Sequence, residues 1–113
     1  MSFNPTVSAE VARARALLGA AVTEKDFQAN VLELAGRLRW RTFHVLDSKG
    51  STAGFPDVVA VRGTRLVMAE LKRENGRPTD DQQGWLDDLE RVTSVGAYLW
   101  RPSDWAELEA VLR

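Results

Sequence analysis

Two carboxylates and a lysine stand at the ends of two short apolar segments. Asp57 precedes the segment Val58–Val61, and Glu70 and Lys72 fall at the end of a second segment that begins at Leu66. Carboxylates held close together repel each other unless a cation lies between them. A hard divalent cation would remove that repulsion, and the lysine could then hold a water or a phosphate oxygen. The combination indicates metal-assisted hydrolysis, whereas any single one of these residues fits better as a solvated strand end.

The two apolar segments are spaced as a β-hairpin. Arg62-Gly63-Thr64 between them is short enough for a hairpin turn. Because side chains alternate along a strand, Glu70 and Lys72 share a face, and Asp57 should lie opposite the end of their strand. Both segments are almost continuously apolar, which predicts that both faces of these strands are covered. The three polar groups are therefore expected to converge.

The rest of the chain predicts four helices and two further strands around this hairpin. Helices are expected after caps at Ser8, Thr23, Thr79 and Ser103, and strands over Trp40–Leu46 and Ala97–Trp100. The second helix should bury Phe27, Val31, Leu34 and Leu38. The third helix is expected to end at Gly96 and to bury Trp85, Leu86, Leu89 and Val92. Gly84 inside the third helix suggests close approach of another backbone. Without the outer two helices, the order of elements is αβββαβ.

Composition limits the class of protein. The chain has 113 residues, of which 44% are hydrophobic and 27% charged, as expected for one globular domain. It has no cysteine and one histidine, which exclude disulfides, zinc–thiolate sites and histidine-cluster metal sites. No apolar span approaches the roughly 20 residues of a membrane helix, and the N-terminal residues lack the layout of a signal peptide. We therefore expect a cytoplasmic protein that does not associate with membranes.

The net charge of −1 hides an uneven distribution along the chain. Residues 36–77 hold nine basic and four acidic residues, whereas the remainder holds six basic and twelve acidic residues. Asp57, Glu70 and Lys72 lie inside the basic part. A local positive field of this kind favours phosphate binding, although the same split also arises by chance on an ordinary surface.

The motif residues resemble a known family of nucleases. Asp57, Glu70 and Lys72 match the PD-(D/E)xK nuclease signature, with Pro56-Asp57 as its first half and Glu70-Leu71-Lys72 as its second. The longer string is similar to the small stand-alone VRR-NUC (virus-type replication-repair nuclease) proteins often found in phages. It comprises Gly54-Phe55-Pro56-Asp57, Ala69-Glu70-Leu71-Lys72, Gly76-Arg77 and Gln82-x-x-Trp85. The resemblance runs from about Thr23 to Trp105.

The resemblance implies a fold, a domain division and a role for individual residues. The fold would be α/β (α+β) with a PD-(D/E)xK core, an αβββαβ mixed sheet flanked by helices, and extra N- and C-terminal helices. Residues 1–22 would be an N-terminal extension and residues 23–113 the nuclease domain. The metal would be Mg²⁺ or Mn²⁺. Its ligands would be Glu24, Asp57, Glu70 and the backbone carbonyl of Leu71. Lys72 and Gln82 would position the attacking water, and the residues in contact with nucleic acid would be His44, Ser48, Lys49, Arg73 and Arg77.

Several of these positions also fit simpler structural roles. Glu24 fits as a first-turn acid that complements the helix dipole, and Gln82 as a partly exposed first-turn residue. His44 fits as a half-buried strand residue, and the loop that holds Ser48 as a plain connector. The family usually has arginine where Lys49 stands, and lysine cannot make the bidentate phosphate contact of arginine.

The function implied is a metal-dependent DNA endonuclease that hydrolyses phosphodiester bonds and leaves a 5′-phosphate. The enzyme would select branched DNA, such as flaps and four-way (Holliday) junctions, and would act in phage or bacterial replication and repair. One active site in so small a chain implies a homodimer for cutting two strands, and no small-molecule cofactor is expected. The alternative is a non-catalytic DNA-structure-binding or assembly protein that retains the fold, which has no need of the intact triplet. A sequence-reading restriction enzyme would need a recognition domain that is not evident.

Overall fold

The computed structural model describes residue 13, residues 21–45 and residues 52–113. Within them the elements run α1 Glu24–Arg37, β1 Arg41–His44, β2 Val58–Arg62, β3 Arg65–Leu71, α2 Asp80–Glu90, β4 Val95–Trp100, a 3-10 turn Pro102–Asp104 and α3 Trp105–Leu112. The predicted order αβββαβ followed by a last helix is confirmed. The helix predicted after Ser8 lies outside the described residues, and the division at residue 22 stays a prediction.

The four strands form one mixed sheet in the order β1-β2-β3-β4. The pairs β1–β2 and β2–β3 are antiparallel, and β3–β4 is parallel. The predicted hairpin is confirmed, since Arg62 pairs with Arg65 across a two-residue turn. Gly63 has a φ of +60° in that turn, a conformation that residues with a Cβ rarely adopt. This short turn fixes the register that places Asp57 level with Glu70.

One face of the sheet carries the main hydrophobic core. Phe27 and Val31 of α1 and Leu108 and Leu112 of α3 pack in one cluster with inward-facing residues of β2 and β3. Alternation along β3 places Met68 on the opposite face, and Met68 and Leu86 are buried outside the main cluster. The first helix buries Ala35 in addition to the predicted Phe27 and Val31, whereas Leu34 and Leu38 are only half-buried.

The face of the sheet opposite the main core is incompletely covered. Phe43 is 64% exposed and Val61 44% exposed, so the prediction that both hairpin strands are covered on both faces is wrong for β2. The α2 helix contacts β4, which is the edge strand farthest from β1. Of its predicted buried stripe only Leu86 is buried, and Val92 is 44% exposed. The uncovered part of this face therefore lies on β1 and β2.

Some predicted element boundaries differ from the structure. Trp40 precedes β1 instead of starting it, because its indole is buried and donates a hydrogen bond to the carbonyl of Leu112 (2.8 Å). Gly96 lies inside β4, since α2 has already ended at Glu90. Ser103 does not cap the last helix; its backbone N–H donates to Glu74.

Two arginines of the β2–β3 hairpin hold the C-terminal end of α3. Arg62 donates to the carbonyls of Leu38, Leu112 and Arg113 at 2.7–3.0 Å, and Arg65 donates to carbonyls of the same helix end. Both guanidinium groups also lie within 5 Å of the centre of the Trp40 ring. The last carbonyls of a helix lack partners within it, so these arginines complete the helix end.

Candidate functional site

The predicted convergence of the carboxylates is confirmed. Val58 pairs with Ala69, so Asp57 and Glu70 come next to each other where the two strands leave their ladder. Glu24, the first residue of α1, reaches the same place from the helix. One carboxylate oxygen of each of the three residues lies within 4.8 Å of the others. Three acids from three elements thus meet at one end of the sheet.

Glu70 is the one buried charged side chain among the described residues, with 1% of its surface exposed. Its Oε2 atom has no hydrogen-bond partner in the described part of the chain. The pKa of Glu70 is raised from 4.5 to about 8, chiefly because burial disfavours the charged form. Hydrogen bonding to Asp57 and the charges of Asp57 and Glu24 also raise this pKa, while the charge of Lys72 lowers it. Without a cation, this carboxyl group is therefore protonated near neutral pH.

Asp57 is oriented by the backbone of the neighbouring strand. The N–H of Leu71 donates to Asp57 Oδ2 at 3.0 Å, and Val45, which directly follows β1, donates its N–H to the Asp57 carbonyl, also at 3.0 Å. Pro56, which is fully buried, precedes Asp57 and fixes its own φ angle. Asp57 therefore has one oxygen engaged by the backbone and its other oxygen free of that contact.

Lys72 lies between two of the acids. Its Nζ atom is 3.8 Å from Glu70 Oε1 and 3.9 Å from Glu24 Oε1, and 15% of its side chain is exposed. Its backbone N–H donates to the carbonyl of Trp100 on β4, which anchors the residue to the parallel strand. At these distances the ammonium group offsets the carboxylate charges in part and can still contact a further oxygen.

The acidic residues fit a hard divalent cation. Such cations prefer carboxylate oxygens and often keep water among their ligands. The orphaned, buried Oε2 of Glu70 lacks a partner that a cation would supply, and the three converging carboxylates provide the donors. The role predicted for the Leu71 carbonyl stays a prediction.

Gln82 stands at the start of α2 and has a structural role there. Its Oε1 accepts from the N–H of Thr79 (2.9 Å), and its own N–H donates to the Thr79 hydroxyl (3.2 Å), which makes a capping box. The predicted Thr79 cap is confirmed. Because the side-chain oxygen is engaged, the amide Nε2 is the group left to act on a water or phosphate, and that predicted role stays a prediction.

Gly54, not Gly84, is the glycine that permits close approach of a backbone. A Cβ on Gly54 would lie 2.4 Å from the carbonyl carbon of Asp81, and its φ is +89°. Nothing lies within 4 Å of the position of a Cβ on Gly84, so the close approach predicted there is wrong. The first turn of α2 therefore packs on the segment that leads to Asp57.

A cleft of about 1410 Å³ surrounds the carboxylates. It exceeds the roughly 300–1,000 Å³ of small-molecule pockets, so it has room for part of a polymer. Its charged lining residues in the described part are four acids and two lysines: Glu24, Asp57, Glu70, Asp81, Lys25 and Lys72. Without a cation, this lining does not attract phosphate.

The residues predicted to bind nucleic acid are not all brought together. His44 lines the cleft, whereas Arg73 and Arg77 are exposed and do not. Ser48 and Lys49 lie outside the described residues. Two of the basic residues counted in the positive half, Arg62 and Arg65, instead hold the end of α3. The positive field predicted from the sequence is therefore not concentrated on the described cleft lining.

Several cleft residues have no role that the sequence alone predicts. Lys25 follows Glu24 and lines the cleft with Phe43. Phe55 and Trp85 also line it and meet edge to face with ring centres 5.1 Å apart, and the Trp85 indole donates to the Ala53 carbonyl. Helical spacing predicts Trp85 in the core stripe of its helix. Its position in the Gln-x-x-Trp string is the signal that links it to the site.

The fold and the site together define a class of protein. A mixed sheet flanked by helices, with acids and a lysine at the ends of neighbouring strands, is consistent with a PD-(D/E)xK-like core. The family model of the VRR-NUC domain matches residues 10–97, and the chain belongs to this nuclease-type family.

Structural comparison agrees with that assignment. A solved structure described as "VRR_NUC domain protein" superposes with a TM-score of 0.62 at 20% sequence identity, covering 80% of this chain and 86% of that one. At this identity the likeness supports the fold alone. A search of curated proteins finds no match. No helix in residues 21–45 and 52–113 has the length and apolar character needed to cross a bilayer.

Proposed function

We propose that the protein is a metal-dependent endodeoxyribonuclease that hydrolyses phosphodiester bonds, selects branched DNA and works as a homodimer. The observation that carries the proposal is the meeting of Glu24, Asp57 and Glu70 beside Lys72, with a buried carboxylate oxygen that has no partner in the described structure. Membership of a nuclease-type family supports the same conclusion.

Glu24, Asp57 and Glu70 would hold Mg²⁺ or Mn²⁺, with the Leu71 carbonyl as a further ligand. A bound divalent cation would lower the pKa of a water molecule and offset negative charge on the phosphate. Asp57 is already oriented for ligation by the Leu71 N–H. Glu70 would bind in its ionised form, so metal binding releases the proton that its raised pKa retains.

Lys72 would hold the attacking water and the scissile phosphate in place. Its Nζ lies within 4 Å of a carboxylate oxygen of both Glu24 and Glu70. Once these acids engage a cation, the ammonium group becomes available to a phosphate oxygen or a water. The Nε2 of Gln82 would support that water from the start of α2. The product would carry a 5′-phosphate.

The test is cleavage of labelled single-stranded, duplex, flap and four-way-junction DNA with Mg²⁺ or Mn²⁺. Lys72→Ala and Glu70→Gln should each lower the cleavage rate on the order of 100-fold or more. Glu33→Gln is the matched control, because Glu33 is an exposed acid of α1 that pairs with Arg37. Binding without cleavage on every substrate, unaffected by either site variant, would show instead a binding protein that retains the fold.

Metal binding and assembly have separate tests. Mn²⁺ titrated by calorimetry should bind the wild type and fail to bind Glu70→Gln at the same concentrations. Light scattering at working concentration should give the mass of a dimer. A monomer that cuts both strands of a junction in register would refute the homodimer.

A further inference from the structure

Phe43 is an exposed aromatic side chain in the wall of the cleft. It lies in the edge strand β1 and is 64% exposed. Single exposed apolar side chains are common on protein surfaces, so the position of Phe43 is more informative than its exposure alone. Phe43 lines the same cleft as Asp57, Glu70 and Lys72. Its exposure therefore occurs beside the carboxylates.

The register of the sheet places Phe43 on the same face as the carboxylates. Phe43 pairs with Val59, which is two residues beyond Asp57 on β2, so alternation gives Phe43 and Asp57 the same side. Two residues of strand span about 7 Å. Because neighbouring strands lie about 4.8 Å apart, the Cα atom of Phe43 is roughly 8 Å from that of Asp57, near enough for Phe43 to contact a nucleotide next to a phosphate bound at the carboxylates.

The described lining of the cleft combines positively charged and aromatic side chains. Lys25 and Lys72 supply the positive charges among the described lining residues, and Phe43 supplies an open aromatic face. Phe55 and Trp85 are less available, because their rings contact each other and the Trp85 indole is hydrogen-bonded. His44 also lines the cleft but is half-buried, as Phe55 and Trp85 are. Phe43 is thus the exposed ring of the described lining and the one best placed to stack on a planar ligand.

We propose that Phe43 is a specificity-determining residue that stacks on an unpaired base next to the scissile phosphate. The proposal rests on the nuclease function and narrows its substrate class to DNA with an unstacked nucleotide at the cutting site. Aromatic stacking accepts any base, since every base has a π-face. A base inside an intact duplex is already stacked and cannot meet the ring.

The variants that test this separate aromatic character from bulk. Phe43→Leu keeps an apolar side chain but removes the ring, and Phe43→Tyr keeps the ring. Val61→Ala is the matched control, because Val61 is an exposed apolar residue that does not line the cleft. On flap DNA with an unpaired base at the cutting site, Phe43→Leu should lower kcat/KM between about 5-fold and 100-fold, mainly through KM.

A direct measurement of stacking accompanies the kinetics. 2-Aminopurine at the unpaired position should lose fluorescence when mixed with excess wild type or Phe43→Tyr in a stopped flow, and should keep it with Phe43→Leu. In a fully paired duplex, replacing Phe43 by leucine should change neither the 2-aminopurine fluorescence nor the cleavage rate by more than about 2-fold.

The outcomes separate this proposal from the nuclease proposal. If the wild type cuts flap DNA and Phe43→Leu cuts it equally well with equal quenching, the stacking role is wrong and the nuclease remains. If the wild type cuts no DNA but quenches 2-aminopurine through Phe43, base stacking stands and the nuclease proposal fails. If Phe43→Leu halves the mass in light scattering and lowers activity on every substrate alike, Phe43 instead joins two copies of the chain, and the stacking role is overturned.

Discussion

Replacing Glu70 by glutamine should change how the stability of the metal-free protein depends on pH. The substitution keeps the size of the side chain, and its amide can donate to Asp57 as the protonated carboxyl does. The pKa of Glu70 in the folded protein is raised from 4.5 to about 8. Between these values the folded state holds a proton that the unfolded state has released. Raising the pH in this range therefore favours unfolding of the wild type.

The size of the effect follows from the two pKa values. One retained proton changes the free energy of unfolding by about 1.4 kcal/mol per pH unit. The folded protein also begins to release the proton as the pH nears its own pKa. Between about pH 6 and about pH 8, the free energy of unfolding should therefore fall by on the order of 2 kcal/mol more in the wild type than in the variant. That corresponds to a relative fall in Tm of roughly 10 °C for a domain of this size.

The assay is thermal and urea unfolding followed by circular dichroism, in EDTA, for both proteins across this pH range. Any group that titrates alike in the two proteins cancels in the difference between them. Parallel stability curves for wild type and Glu70→Gln would refute the buried, protonated state of Glu70. Added Mn²⁺ at the upper pH should raise the Tm of the wild type by clearly more than that of the variant, since the neutral amide oxygen is a weaker ligand than the ionised carboxylate.

Further substitutions test the packing around the site and the C-terminal helix. Gly54→Ala should destabilise the protein by about 2 kcal/mol or more, because the new Cβ would meet the backbone of α2 at 2.4 Å. Gly84→Ala, where the new Cβ enters open space, should stabilise the protein by about 1 kcal/mol. Equal effects of the two substitutions in urea unfolding would contradict this difference. Arg62→Ala, which removes three hydrogen bonds, should lower the free energy of unfolding by about 2 kcal/mol. Arg37→Ala, at an exposed position, should lower it by less than about 0.5 kcal/mol. Similar losses for the two variants would disprove the contacts of Arg62 with the backbone carbonyls. Thr79→Ala should lose about 1 kcal/mol through its cap, and an unchanged midpoint would argue against the capping box.

The sequence predicted well what depends on local pattern. The hairpin followed from two apolar segments and a glycine turn, and its pairing brought Asp57 beside Glu70 as expected. The caps at Thr23 and Thr79 followed from residue type and position. Each of these features is decided by residues close in the chain, where spacing alone limits the possible geometry.

The sequence predicted poorly what depends on contacts between distant segments. Gly54 and Gly84 look alike as letters, yet one packs on a helix backbone and the other faces open space. Arg62 is available to phosphate in the sequence alone, but α3 places its last carbonyls within reach of the guanidinium. Helical spacing assigns Trp85 to the core, but the ring lines the cleft because Phe55 and Ala53 hold it there.

The burial of Glu70 links the site to the stability of the fold. A buried carboxyl without a cation stays neutral or destabilises the protein, and β3 is the most buried strand of the sheet. The same burial removes water from one ligand and leaves its Oε2 without a partner in the described structure. A cation that satisfies this oxygen would therefore stabilise the folded chain by the free energy of its binding. Metal affinity and folding stability should accordingly change together in any variant that moves β3 or the Gly54 segment packed on α2.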